Sequence, residues 1–156
     1  MRTKNDLLKY GLNAECVFMY GLNELINDDN IIIKRMDDKY ASVDFIITSK
    51  MNNRKLYIEL KSRTQDISKY NSFMIGRTKL SNICHTYKND CVVLVWYDSF
   101  KNLFYKLYTD ELLNEQIKYI NGSDVFLIPK SICKTSTIAT LAECIVKYHN
   151  HNDLSN

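Results

Sequence analysis

Ser42-Val43-Asp44-Phe45-Ile46-Ile47-Thr48-Ser49-Lys50, then Met51-Asn52-Asn53-Arg54, then Lys55-Leu56-Tyr57-Ile58-Glu59-Leu60-Lys61-Ser62: the reading of this stretch decides the fold. Two runs rich in β-branched and aromatic side chains flank a pair of asparagines, the pattern of a strand, a turn and a second strand. Alternate residues of a strand share a face, so Glu59 and Lys61 point one way while Ile58 and Leu60 point into the core. Asp44 is unusual inside such a run, because acidic residues are depleted in strands. A two-residue turn at Asn52-Asn53 pairs Asp44 with Lys61, and a turn at Met51-Asn52 pairs it with Glu59. Either register puts Asp44 on the face that carries Glu59 and Lys61. The apolar Ile46 on that same face argues against a merely solvated surface.

Outward from the hairpin, residues 5–27 read as an amphipathic helix, with Leu8, Leu12, Met19, Leu22 and Ile26 on one face at steps of three and four. Asp28-Asp29-Asn30 ends it, and residues 31–36 read as a strand before the hairpin strands at 43–50 and 55–62. On the far side, Asn71 or Ser72 can cap a second helix running to about residue 87, with Phe73, Leu80, Cys84 and Tyr87 on its apolar face. Residues 91–97 are almost wholly apolar, as in a central strand buried on both sides. A weaker strand at 104–109, a short helix near 110–120, a strand at 125–129 and a last helix at 137–149 complete the pattern. The expected architecture is α/β, a mixed central sheet flanked by helices, in one domain over residues 1–148 with a polar tail at 149–156.

Composition narrows the class. The 156 residues are 46% hydrophobic and 25% charged, with one Pro and four Gly, which is a globular balance rather than low complexity. A formal charge of +3 permits a polyanionic partner without demanding one. The five cysteines are odd in number and none has CxxC spacing, which disfavours both a disulfide framework and a zinc site. No stretch is long and apolar enough to span a bilayer and the first residues lack a signal-peptide pattern, so a cytosolic or nuclear compartment is expected, with no membrane partner. Abundant Asn, Lys, Ile and Tyr suggest an AT-rich genome, which fits a virus among other sources.

Glu15 is the third acidic residue of interest. On a helix of 3.6 residues per turn it falls between Leu12 and Met19, within the apolar stripe, whereas Glu24 lies opposite. A carboxylate facing the core is costly unless it is paired or bound to metal. Three carboxylates and a lysine that can meet at one point suit a hard divalent cation, Mg²⁺ or Mn²⁺, with the lysine beside it orienting water or offsetting charge.

The pattern resembles the PD-(D/E)XK nuclease superfamily, whose restriction-endonuclease-like core runs αβββαβ. Gly11-Leu12-Asn13-Ala14-Glu15 looks like the start of its first helix, Val43-Asp44 like its PD element with Val in place of Pro, and Glu59-Leu60-Lys61 like its ExK element. The segment Ile75-Gly76-Arg77-Thr78-Lys79-Leu80 is similar to the helix that follows the motif in many relatives. The resemblance covers roughly residues 8–98, leaving the C-terminal strand and helix as additions. It implies a metal-dependent endonuclease acting on nucleic acid, DNA ahead of RNA, with a homodimer as an option. By the same resemblance Asp44, Glu59, Glu15 and the Leu60 carbonyl bind metal, Lys61 assists the attacking water, Arg77 or Lys79 contacts phosphate, and Gln65 supports the site. Tyr40 or Tyr57 near that site could stack on a base. The rival readings are a non-catalytic nucleic-acid- or protein-binding module on the same fold, and a scaffold or inhibitor with a coincidental motif.

Overall fold

The computed structural model describes residues 4–36 and 41–151, with side chains described from Asn13 to Asn150; Tyr40 and the last residues of the tail lie outside that range. Helix α1 (Lys4–Leu25) leads into strands β1 (Ile31–Arg35), β2 (Phe45–Ser49) and β3 (Lys55–Arg63). Strand β4 (Ser72–Gly76), helix α2 (Arg77–Thr86) and strands β5 (Cys91–Asp98) and β6 (Leu103–Leu107) follow. Strands β7 (Ile117–Ile120), β8 (Ser123–Pro129) and β9 (Lys134–Ser136) and helix α3 (Ile138–His151) end the chain.

Among the described residues the strands form a six-stranded mixed sheet in the order β1-β2-β3-β5-β6-β9 and a three-stranded sheet in the order β4-β8-β7. In the large sheet β3 and β5 are parallel, Glu59 beside Leu94 and Lys61 beside Trp96, while its other pairs are antiparallel. Both faces of the large sheet are covered. On one, Phe18 and Leu22 of α1 and Leu141 and Ile145 of α3 pack on Phe45, Ile47, Ile58, Leu60, Val93 and Val95. On the other, Leu80 and Ile83 of α2, with Phe73, Ile75, Phe126 and Ile128 of the small sheet, pack on Tyr57, Leu94 and Trp96. Each fully buried side chain of this kind contributes roughly 1.5–3 kcal/mol. Helices α1 and α3 meet closely at Gly21, where a Cβ would lie 3.2 Å from Ile138 Cδ1.

Several expectations change. Residues 72–76 form β4 rather than the first turn of a helix, because Phe73 and Ile75 alternate inward and the backbone pairs with β8, Ser72 to Pro129 through Gly76 to Val125. The helix expected near 110–120 is a single 3₁₀ turn, Asp110–Asn114, followed by β7. A two-residue turn joins β7 to β8, with Asn121 at φ 50° and Gly122 at φ 84°, the left-handed pair that a tight hairpin requires. Strand β9 was not anticipated. The last helix runs through His151, and His149, assigned to the tail, is 1% exposed, with its ring nitrogens 2.9 Å from the Ile145 carbonyl and 3.1 Å from that of Ile47. All five cysteines are free and half-buried. No helix among the described residues is long and apolar enough to cross a membrane.

Candidate active site

The hairpin register, continued one residue beyond its first pair, would set Asp44 opposite Glu59. Phe45 pairs with Ile58 and Thr48 with Lys55, and the connection is a four-residue turn in which Asn53 donates to the Ser49 carbonyl at 2.9 Å with φ 55°. At Asp44 the regular ladder stops. Its backbone N–H donates to the Ile58 carbonyl at 2.8 Å, and its side-chain Oδ2 accepts from the Leu60 N–H at 2.7 Å. The carboxylate thus takes the place of a backbone acceptor that β2 would have supplied. This fixes one Asp44 oxygen on the scaffold, at the point where β2 begins and the preceding chain leaves β3.

Glu59 lies within electrostatic reach of Asp44 and is 1% exposed. Its Oε1 lies 3.1 Å from Lys61 Nζ and 3.4 Å from Lys79 Nζ. Its Oε2 is buried with no hydrogen-bond partner among the described residues. Burial raises the Glu59 carboxyl to about 7, the nearby Asp44 adds to that, and the two lysines pull against it. A strand face read as merely distinct from the core is in fact covered by α2 and the small sheet, and α2 delivers Lys79. That residue, expected at a phosphate, lies against Glu59 and also approaches the Ala41 carbonyl at 3.5 Å.

Glu15 comes from the helix layer on the other face. It lies on the stripe that continues through Phe18, Leu22 and Ile26, but at its edge, with its side chain 25% exposed and Oε2 3.6 Å from Arg35 Nε. Desolvation raises its pKa first and Asp44 second, while Arg35, Lys61 and Lys79 oppose the rise, so Glu15 is within electrostatic reach of Asp44 and the two lysines. Among the described residues no three His, Cys, Asp or Glu side chains converge closely enough to form a metal site from side chains alone. Asp44 raises the proton affinity of both Glu59 and Glu15, which makes it the common neighbour of the two.

Two solved structures are similar to this chain. One is D212, a nuclease from a fusselovirus, 17% identical, matched over 91% of this chain and 93% of that one with a TM-score of 0.50. The fold is restriction-endonuclease-like. The other is the Holliday junction resolvase Hjc of Archaeoglobus fulgidus, 12% identical, matched over 81% of this chain and 97% of that one with a TM-score of 0.45. No family model and no curated protein matches the sequence.

Within the restriction-endonuclease-like fold the remaining residues of interest scatter. Gln65 Oε1 accepts from the Tyr70 hydroxyl at 2.7 Å, beyond the end of β3. Arg77 is exposed and paired with Asp124 of β8 at 3.2 Å. Tyr57 is buried with its ring 4.6 Å from that of Tyr87, a packing role that leaves it no free face for a base. Two basic residues escaped the sequence reading. Arg35 carries no local signal, since its partner is on another element. Arg63 does: it is two residues past Lys61, so the same alternation that joined Glu59 to Lys61 extends to it.

Proposed function

We propose that this chain hydrolyses phosphodiester bonds in nucleic acid, DNA ahead of RNA, with Mg²⁺ or Mn²⁺ held by Asp44 and Glu59. The observation that carries the reading is the buried Glu59, whose Oε2 has no partner among the described residues although a carboxylate oxygen in that position normally has one. Carboxylate oxygens, one of them orphaned, fit a hard divalent cation. The Leu60 carbonyl and Glu15 are the further ligands of the proposal, Glu15 directly or through water. Such an ion, when bound, supplies a hydroxide from water near neutral pH and charge for the developing phosphorane.

The chain's own groups do the rest. Asp44 is held in one orientation by the Leu60 N–H, so its position costs no ordering when substrate arrives. Lys61, partly exposed and 3.1 Å from Glu59, carries a charge that can shift to a phosphate oxygen or orient the attacking water. Lys79 balances the charge of Glu59 from the other side. The likeness of fold to a viral nuclease supports the reaction class at the level of architecture. A nucleic-acid substrate would place the protein in the cytoplasm or nucleus, and a homodimer would let two such sites act on two strands.

The test is nicking of supercoiled plasmid in Mg²⁺ or Mn²⁺ against EDTA, with Asp44→Ala alongside. Cleavage that needs metal and vanishes in the variant supports the proposal. Plasmid binding with no nicking at any metal concentration replaces it with the non-catalytic binding module.

A further inference from the structure

We infer that the cavity beyond Lys61 receives an unpaired nucleotide of the substrate strand, so that the chain acts on nucleic acid with single-stranded character. The inference rests on the nuclease reading, because it takes a polynucleotide to run past Lys61. The cavity has a volume of about 570 Å³, within the range of sites that hold a nucleotide-sized ligand. It lies between the end of β3 and the small sheet, on the face that carries Glu59 and Lys61. Arg63, the next residue of β3 on that face, lines it, about 6.6 Å beyond Lys61 by strand geometry.

Its lining is mixed in the way a base and its phosphate need. Phe73 and Trp96, stacked at 5.4 Å, form an apolar wall, and Arg63 and Lys118 supply cations. Tyr70 and Gln65 line it as well, and both also line a second open groove that adds Lys69 and Phe100. Phe100 is 66% exposed and Tyr70 48% exposed, on a surface where apolar rings gain nothing from the fold itself. The groove's one carboxylate, Asp66, is occupied by Ser68 and Asn102. Aromatic rings interleaved with cations along a groove are the means by which proteins hold unpaired bases, since every base offers a π-face. In a duplex those faces are already stacked on neighbours, so the groove discriminates against fully paired substrate.

The experiment reads binding, not cleavage. A short fluorescein-labelled single strand and the blunt duplex of the same sequence are titrated with the protein in EDTA, followed by anisotropy, using Tyr70→Ala and Phe100→Ala. Both side chains are substantially exposed, so the variants should fold, and thermal melts check that they do. The wild type should prefer the single strand. Each alanine variant should lose roughly tenfold on it and little on the duplex, as expected for one lost stacking partner. Tyr70→Phe, which keeps the ring and loses the hydroxyl bond to Gln65, should bind like the wild type. Equal wild-type affinity for the two probes, or alanine variants that keep the single-strand preference, overturns the inference. Plasmid nicking in Mg²⁺ is read separately. Nicking without single-strand preference removes the cavity's role and leaves the nuclease, whereas preference without nicking removes the nuclease and leaves a nucleotide-binding cavity.

Discussion

Replacing Glu59 by Gln should make the metal-free protein more stable, which is not the usual result of removing a residue held by two lysines. The reasoning starts from burial. The Glu59 carboxyl rises from an ordinary 4.5 to about 7, with desolvation outweighing the attraction of Lys61 and Lys79. At 1.36 kcal/mol for each tenfold change, ionising it in the folded chain costs about 3 kcal/mol more than in the unfolded chain. Because the folded state holds the proton more tightly, this penalty is absent well below 4.5. It grows as pH rises from 4.5 through 7 and is complete above about 7. Gln keeps the shape of the neutral acid and never ionises.

In EDTA, Glu59→Gln should therefore exceed the wild type by about 3 kcal/mol at pH 8 and by less than about 1 kcal/mol at pH 5. Urea denaturation at the two pH values measures the difference directly. In thermal melts the pH 8 gain corresponds to roughly 6–12 °C for a domain of this size. Added Mn²⁺ should reverse the order at pH 8, stabilising the wild type and leaving the variant unmoved. A variant that is less stable than the wild type at pH 8, or equally displaced at both pH values, refutes the argument. It would mean that the two ammonium groups dominate and Glu59 is an ordinary buried ion pair.

Three further outcomes are expected. Lys61→Ala should lower plasmid nicking by roughly 10²–10⁴ while calorimetry still detects Mn²⁺ binding, since its charge serves the reaction rather than the resting site; normal cleavage would make it a surface residue. Glu15→Gln should leave the EDTA form as stable as the wild type or more so, because its pKa is raised chiefly by desolvation and then by Asp44, yet should weaken cleavage. A lowered melting temperature with unchanged cleavage would assign Glu15 to its pairing with Arg35 alone. Asp98→Ala should destabilise by about 3–5 kcal/mol in urea melts, since the buried carboxylate accepts from the backbone of Ile67, Phe100 and Asn102 at 2.8, 2.9 and 2.8 Å; a change under about 1 kcal/mol would show that water replaces it there.

What could be read from the chain follows how far apart the interacting partners lie. The hairpin carrying Asp44, Glu59 and Lys61 was legible because its two strands are neighbours in sequence and its period is two. Its register was not, because either two-residue turn through Met51, Asn52 and Asn53 satisfies local rules, whereas the protein uses a four-residue turn closed by Asn53 onto Ser49. Residues 72–76 were misread for a related reason. Phe73, Leu80, Cys84 and Tyr87 fit a helical face, and the strand that claims the segment instead, β8, lies about fifty residues downstream. The Asn121-Gly122 pair is a local hairpin signal that joins β7 and β8 as a unit.

That second sheet is what turns the polar face of β3 from a surface into an interior. With it come the burial of Glu59, and with α2 the approach of Lys79, so the identity of the acidic pair is a local property of the chain while its electrostatic state is not. A motif of this kind therefore announces its ligands in sequence but its proton affinity only in three dimensions. The decisive measurements here are accordingly those that vary pH with Glu59 present and absent.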